Sequence, residues 1–268
     1  MAIKTSWQKA DAARRLLLGA AGIAAFLLVW WLISLGSREV RVPAPGAVLT
    51  AIEENFWSTD ALEFANLPAG GLASNLLATA EAALLGVGIG LCIGLPIGIL
   101  AGRSRLVRMA VEPPLMVLGV VPVVVLLPFM SIWFGSSVLA QAGLTIFYAT
   151  LVISVTAKNA TSNALGKYEK FGRSLGASNR TLIFSVVLPA ISPAMVGALR
   201  VAMAAAWGFT VIAEILGANR GIGRVIQVFA TFQATASVIA ALVCLGVLAL
   251  IIDAVIARVG RWYTSWQE

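Results

Sequence analysis

The side chains able to do covalent chemistry are few. There is no histidine among the 268 residues. That removes His-based triads, His-ligated zinc and the HExxH class together. A phosphate-binding loop needs Gly-x-x-x-x-Gly-Lys-Ser/Thr; the only Gly-Lys pair, Gly166-Lys167, has Thr161 at the first glycine position and Tyr168 after the lysine. Ser74 and Thr79 near Glu81 do not make a nucleophile–base pair, so no catalytic residue and no metal site are expected. What remains is charge set in apolar surroundings. Arg200 and Glu214 interrupt the run Ile191 to Leu216, and Asp253 follows the run Ala234 to Ile252. Charged groups at membrane depth face a cavity or another helix. Arg200 and Glu214 are 14 residues apart on one helix, about four turns, and cannot pair with each other. Arg200 suits the path of an anion, or an ion pair with Glu81 or Asp253. Glu214, near one end, suits a gate. Asp253, close to Arg258, reads as an interfacial residue.

The elements that carry these charges are membrane helices. The chain is 60% hydrophobic and 12% charged, with a mean hydropathy of +0.94; soluble domains are nearer half apolar and a quarter charged. A span needs about 20 mostly apolar residues. Leu16 to Leu35, Ala82 to Gly102, Pro113 to Gly135, Ser136 to Ala157, Ile191 to Leu216 and Ala234 to Ile252 give six candidates. The uncharged block from Pro113 to Ala157 is too long for one span, and Gly135-Ser136-Ser137 is the expected hairpin. The fold class is therefore all-α: a polytopic membrane protein with six transmembrane helices in a single domain over 1–268. The run after Lys4, Lys9, Arg14 and Arg15 exceeds a signal-peptide core and lacks a cleavage pattern, so it reads as a retained first helix. Cys92 and Cys244, both inside apolar runs, read as small buried hydrophobes.

The net charge is +7, and its distribution points to a membrane rather than to nucleic acid. Lys4, Lys9, Arg14, Arg15, Arg103, Arg105, Arg108, Lys158, Lys167, Lys170, Arg173, Arg180, Arg258 and Arg261 share one side, against Arg38, Arg41, Arg220 and Arg224 on the other. The positive-inside rule then places a tail over 1–15, the loop 158–190 and both termini in the cytoplasm, and the segment 36–75 outside. Trp30, Trp31, Trp262, Tyr263 and Trp266 lie near span ends, at headgroup level. In the outer segment, Pro45 to Trp57 places Val48, Leu49, Ile52 and Phe56 on one face of a short amphipathic helix; Asp60 to Ala73 reads as irregular around Pro68 and Gly70-Gly71.

Two features bear on packing. Gly86, Gly90, Gly94, Gly98 and Gly102 recur every four residues, a spacing that lets another helix approach closely; the general glycine enrichment of membrane helices is the competing explanation. Pro96 should bend that helix. The third span holds Pro113-Pro114, Pro122 and Pro128, whose freed carbonyls need protein or water. It is placed inside the bundle, with Pro122 either beside a pathway or simply at a kink.

The most informative segment is Lys170 to Pro189. Lys170, Arg173 and Arg180 keep it out of the hydrocarbon, while Leu175, Leu182, Ile183 and Val186 supply an intermittent apolar face. Gly176-Ala177-Ser178 form a small-residue turn able to approach a partner's groove. Val186-Val187-Leu188 returns the chain to the membrane, and Pro189 starts the next helix. A short helix docked into another protein needs this mixture; a mobile connector does not.

This segment resembles the EAA loop of binding-protein-dependent ABC importer permeases, whose pattern is Glu-Ala-Ala, three residues, Gly, nine residues, Ile-x-Leu-Pro. Gly176, Val186, Leu188 and Pro189 match. Lys170-Phe171-Gly172 replaces Glu-Ala-Ala, with Glu169 one position early. Arg41 to Leu49 is similar to the segment that follows the first span in permeases for nitrate, taurine and alkanesulfonates. Val120 to Gly135 is similar to their proline-rich third helix. Ala198 to Ile226, with Arg200, Trp207 and Glu214, is similar to their fifth helix and outer loop. Glu81 departs, since that group more usually carries a basic residue there. The resemblance implies a type I importer permease of the bacterial inner membrane, usually in two copies. Two cytoplasmic ATPase subunits would bind ATP and Mg, dock the loops at Lys170, Arg173, Leu175, Gly176, Ala177, Ser178, Arg180, Leu188 and Pro189, and leave this chain without a cofactor. An external binding protein would deliver a small, anion-like solute to a pathway near Arg200, Trp207, Glu214 and Pro122. An ion-coupled secondary transporter is the alternative; it would use ionisable groups near the midplane, and the organised loop would then have no purpose. An intramembrane enzyme ranks below both.

Overall fold

The computed structural model describes residues 2–37, 41–65 and 67–264, without the side chains of 2–13, 15, 16 and 170. Arg38 and Trp266, and the side chains of Lys4, Lys9, Arg15 and Lys170, lie outside the described residues. Everything described is helix or connecting turn. The order is α1 (Ala2–Leu35), α2 (Pro45–Asn55), α3 (Asp60–Phe64), α4 (Leu72–Arg103), α5 (Arg105–Val120), a 3₁₀ turn (Val123–Leu126), α6 (Leu127–Phe134), α7 (Val138–Ser174), α8 (Asn179–Thr181), a π-helical stretch (Leu182–Val187), α9 (Leu188–Gly217), α10 (Ile222–Thr231) and α11 (Thr235–Tyr263). Five helices are long and apolar enough to span a membrane, and a bent pair makes a sixth candidate. The hairpin falls at Gly135, whose φ of +61° ends α6; a glycine tolerates that conformation without cost.

The centre of the bundle is the pairing of α4 with α7. Gly86 lies against Thr145, Gly90 against Ala149, Gly94 against Thr150 and Ile153, Gly98 against Ala157, and Gly102 against Thr161. The contacts on α7 also recur every four residues, and both numbers rise together, so the two helices run parallel. A Cβ at Gly90 or Gly98 would sit 2.5 Å from the methyl of Ala149 or Ala157. The two backbones are closer than side chains permit. α9 closes the core with Ile191, Met195, Ala198, Ala202, Met203, Ala206 and Trp207. α10 lies across one end, burying Ile222, Val225, Val228 and Phe229.

Several expectations need correction. The third span is not one helix inside the bundle. α5 has no buried residue, and in α6 only Leu127 is buried. The chain turns by 93° between α5 and the Val123–Phe134 segment, because Pro122 cannot donate to a preceding carbonyl. The bend leaves α5 outside the core and seats Leu127 against Leu144 and Ala213, with Val123, Leu126 and Met130 partly buried around it. In α2 the packed face is Val48, Ala51 and Ile52 against Ala236 and Ala240. Leu49 points outward, since an alanine seam admits α11 where a leucine would hold it off. Asp60 to Ala73 is partly helical: α3 and the first two residues of α4 fall in it. Cys92 is on the exposed face of α4. Residues 158–174 continue α7 rather than forming a loop, and helix already begins at Ala2 within the basic tail. α1 is exposed along its described apolar length and is tied at its end by Trp30 Nε1 donating to Pro43 O at 3.0 Å.

The α4–α7 geometry yields a paired test. Gly98→Val should lower the apparent melting temperature of the detergent-solubilised chain, since overpacking costs about 1–3 kcal/mol. Gly88→Val, on the same helix with nothing within 4 Å of the added Cβ, should leave melting near wild type. Equal melting of the two variants would refute close packing as the role of the ladder.

Candidate functional site

The segment after α7 is a built turn. Leu175 ends the helix, with Gly176 N donating to Arg173 O at 2.9 Å and Ala177 N donating to Gly172 O at 3.0 Å. These are the two bonds of a Schellman cap, and the residue after the cap must be left-handed. Gly176 has φ +76°. Ser178 then caps the next turn, its Oγ accepting from Thr181 N at 3.2 Å. From Asn179 the chain is helical to Gly217, widened to π geometry over Leu182–Val187. Pro189 offers no N–H to Ser185 O and its ring crowds that carbonyl, which accounts for the widening. Pro189 therefore falls within a helix that began at Asn179.

The elbow's apolar residues divide between inside and outside. Leu182 is fully buried and packs where a side chain at Gly172 would stand: a Cβ there would lie 2.6 Å from Leu182 Cδ2. Leu182 thus does not belong to the exposed face expected of it. Phe171, Leu175 and Phe184 do face outward. Arg173 is held by Glu169, with Nε and Nη2 at 2.9 and 2.7 Å from Oε1, so the early glutamate is spent within the elbow. Arg180 is exposed. Phe171 and Leu175, one turn apart on α7, thus form an exposed apolar knob beside a locked turn, with Arg173 and Arg180 exposed next to it.

Behind the elbow, α5 is tied to α4 and α7. Arg108 donates to Ala101 O at 3.1 Å, Gly102 O at 3.0 Å and Ser162 Oγ at 2.9 Å. Lys158 Nζ meets Glu112 Oε1 at 2.6 Å.

At the opposite end of α4 and α9 lies a buried carboxylate. Glu214 is fully inaccessible. Its Oε2 accepts from Gly223 N at 2.9 Å and from Thr79 Oγ1 at 3.0 Å. Thr79 Oγ1 in turn accepts from Ile222 N at 2.8 Å, and Asn75 Oδ1 accepts from Gly221 N at 2.8 Å. Three successive amides at the start of α10 are thereby satisfied by side chains of α4 and α9. Gly221 has φ +111°, and a Cβ there would collide with the Glu214 carboxyl. A helix leaves its first amides without internal partners, and here the partners come from the core.

The other charges singled out in the spans, Arg200, Asp253 and Glu81, are paired. Arg200 Nε and Nη2 each lie 2.7 Å from an oxygen of Asp253, a two-pronged bond between α9 and α11. Asp253 is therefore the ion-pair partner of Arg200, one of the two partners the sequence offered for it. Glu81 pairs instead with Arg220 at 3.3 Å. Arg200, Asp253 and Trp207 line one groove of about 730 Å³. Glu214 is about 21 Å from Arg200 along α9 at 1.5 Å per residue. Pro122 lies at the exposed bend of the third span. The expected pathway residues thus form three separate places.

Residues 94–265 match the family described as "binding-protein-dependent transport system inner membrane component". The chain belongs to this family. It is 27% identical to the taurine transport system permease protein of Escherichia coli over 260 residues, covering 94% of this chain and 90% of that one. It is 28% identical to the bicarbonate transport system permease protein of Synechococcus elongatus, covering 92% and 89%. Its fold matches a chain of the inward-facing MetNI methionine ABC transporter, with a TM-score of 0.63 and 22% identity over 72% of this chain and 96% of that one. The chain is a multi-pass membrane permease of the type I importer fold and not an enzyme; ATP hydrolysis belongs to partner subunits.

Within this family frame, sequence reasoning passed over Asn75, Thr79, Gly172 and Gly223. Asn75 and Thr79 form an i, i+4 polar pair on an apolar helix, and Gly221-x-Gly223 follows Glu214 closely; those were the available signals. Gly172 stood only as a departure from Glu-Ala-Ala, although its size is what Leu182 requires.

Removing the carboxylate exposes the role of this cluster. Glu214→Ala strands the Gly223 amide, at a cost of about 1–3 kcal/mol. Hydrogen exchange of the 221–223 amides should therefore speed up by roughly tenfold or more, while Glu81→Ala leaves it unchanged. Wild-type protection in Glu214→Ala would show that the carboxylate does not hold the loop.

Proposed function

We propose that the chain carries a small, anion-bearing solute inward, driven by two ATPase subunits that dock on the 170–180 elbow. One observation carries the reading: a left-handed Schellman turn follows an exposed apolar knob of Phe171 and Leu175, one helical turn apart, with Arg173 and Arg180 exposed beside it. An exposed, pre-formed apolar knob needs a groove to receive it. The elbow lies on the side with the excess of lysine and arginine, which the positive-inside rule assigns to the cytoplasm; both termini belong on that side. A second copy of the chain completes the pathway, and ATP and Mg bind to the partner subunits, consistent with the absence of a P-loop in this sequence. An external binding protein delivers the solute at the end carrying α2, α3 and α10.

The names of the relatives, taurine and bicarbonate permeases, support a small solute bearing negative charge. Closure of the ATPase pair would move the elbows, and α7 would carry that motion past Lys158–Glu112 to the third span, whose bend at Pro122 is placed to yield. Glu214 holds the outer loop as a fixed part of the gate, and Arg200 with Trp207 lines the route.

Gly176→Val forces a β-branched residue into left-handed backbone, at a cost of about 1–2 kcal/mol. In proteoliposomes holding the full transporter, this variant should lose roughly tenfold of its ATP-dependent uptake. Recovery of the ATPase with the tagged permease should fall in parallel. Wild-type uptake with unchanged recovery would remove the elbow from the docking role.

A further inference from the structure

The groove around Arg200 holds more than a structural ion pair. Arg200 and Asp253 lie two and four residues from the midpoints of the helical spans Asn179–Gly217 and Thr235–Tyr263, about 3 and 6 Å at 1.5 Å per residue, which puts both at membrane depth. Yet their side chains are 48% and 42% exposed. A charged group at that depth faces a cavity or another helix rather than lipid, and the groove offers a cavity of about 730 Å³. Its walls keep it open: Gly197, Ala204 and Gly246 are small, and the largely buried Trp207 forms part of the lining.

The pair's hydrogen-bonding capacity is not exhausted. A guanidinium has five N–H donors and a carboxylate about four acceptor positions. Two bonds join them here. Three donors of Arg200 and about two acceptor positions of Asp253 remain. The two charges cancel, so the site has no net attraction for a bare anion. It offers instead a donor fork and an acceptor pair side by side. We infer that this groove is a solute-binding site in the pathway, and that it selects small zwitterions carrying both an acidic group and a protonated amine. The acidic group meets the free N–H groups of Arg200, and the ammonium meets Asp253. This rests on the importer reading above and narrows its solute.

Binding of 2-aminoethanesulfonate and of ethanesulfonate to the purified full-length chain in nanodiscs tests the inference. Wild type should prefer the amino compound by roughly tenfold, the effect of one charge-assisted hydrogen bond. Asp253→Asn should abolish that preference by weakening the amino compound, while Arg200→Gln should weaken both. Native elution and melting of Asp253→Asn and Arg200→Gln themselves separate lost binding from unfolding, and the exchanged pair R200D/D253R, which keeps the ion pair, should fold like wild type. No binding of either probe to wild type, or an unchanged preference in Asp253→Asn, overturns the site. So does a cysteine at Ala204, with Cys92 and Cys244 replaced by serine, that crosslinks to a second copy and resists a water-soluble maleimide. The importer reading is scored separately, by ATP-dependent uptake in the assembled transporter: it survives if uptake persists while this groove binds nothing.

Discussion

The close approach of α4 and α7 is the contact on which the other arrangements rest. Five glycines at four-residue spacing let two backbones meet where side chains would hold them apart. In a bilayer this matters more than in water, because association cannot draw on the burial of apolar surface and depends on packing. The pair then serves both ends of the molecule. The first turns of α4 bring Asn75 and Thr79 to the amides of α10. The last turns of α7 leave the bundle and become the arm of the elbow. A rigid parallel pair thus joins a fixed cluster at one end to a projecting turn at the other, and α9, which carries Glu214 and continues the chain after the elbow, closes the triangle.

The sequence was legible where a rule is local. Run length found the spans, four-residue spacing found the α4 packing face, and Gly135 marked a hairpin. The Gly176 position was read as a place for small residues; the structure supplies the stronger reason, a left-handed cap. Rules of single-helix character failed where a contact is distant. Leu182 looked like part of an exposed face, because nothing local shows that Gly172 makes room for it. Leu49 looked like the packed side of α2, because its neighbour α11 presents alanine and is 187 residues away. The third span was placed inside on account of its prolines, but a 93° turn at Pro122 turns most of that span outward. Each miss concerns which neighbour a residue meets, and that information is spread over the chain.

The charges show the same limit. Arg200 could be recognised as costly at its depth and Asp253 named as one of two candidate partners, but nothing local chose between Asp253 and Glu81. Glu214 was marked as special, while the Asn75 and Thr79 that complete its network are unremarkable in composition. The outcome is a consistent division: the buried carboxylate serves backbone amides and organises a loop, whereas the ion pair on the groove keeps donors and acceptors to spare.

The seating of Leu182 over Gly172 ties two positions ten residues apart into one volume. A methyl added at 172 has to be withdrawn at 182, or the second arm of the hairpin lifts away from the first and the angle between them opens. Among related chains, bulk at these two positions should therefore trade off, and descendants that enlarge one without trimming the other would present their knob in a different direction and match a differently cut socket.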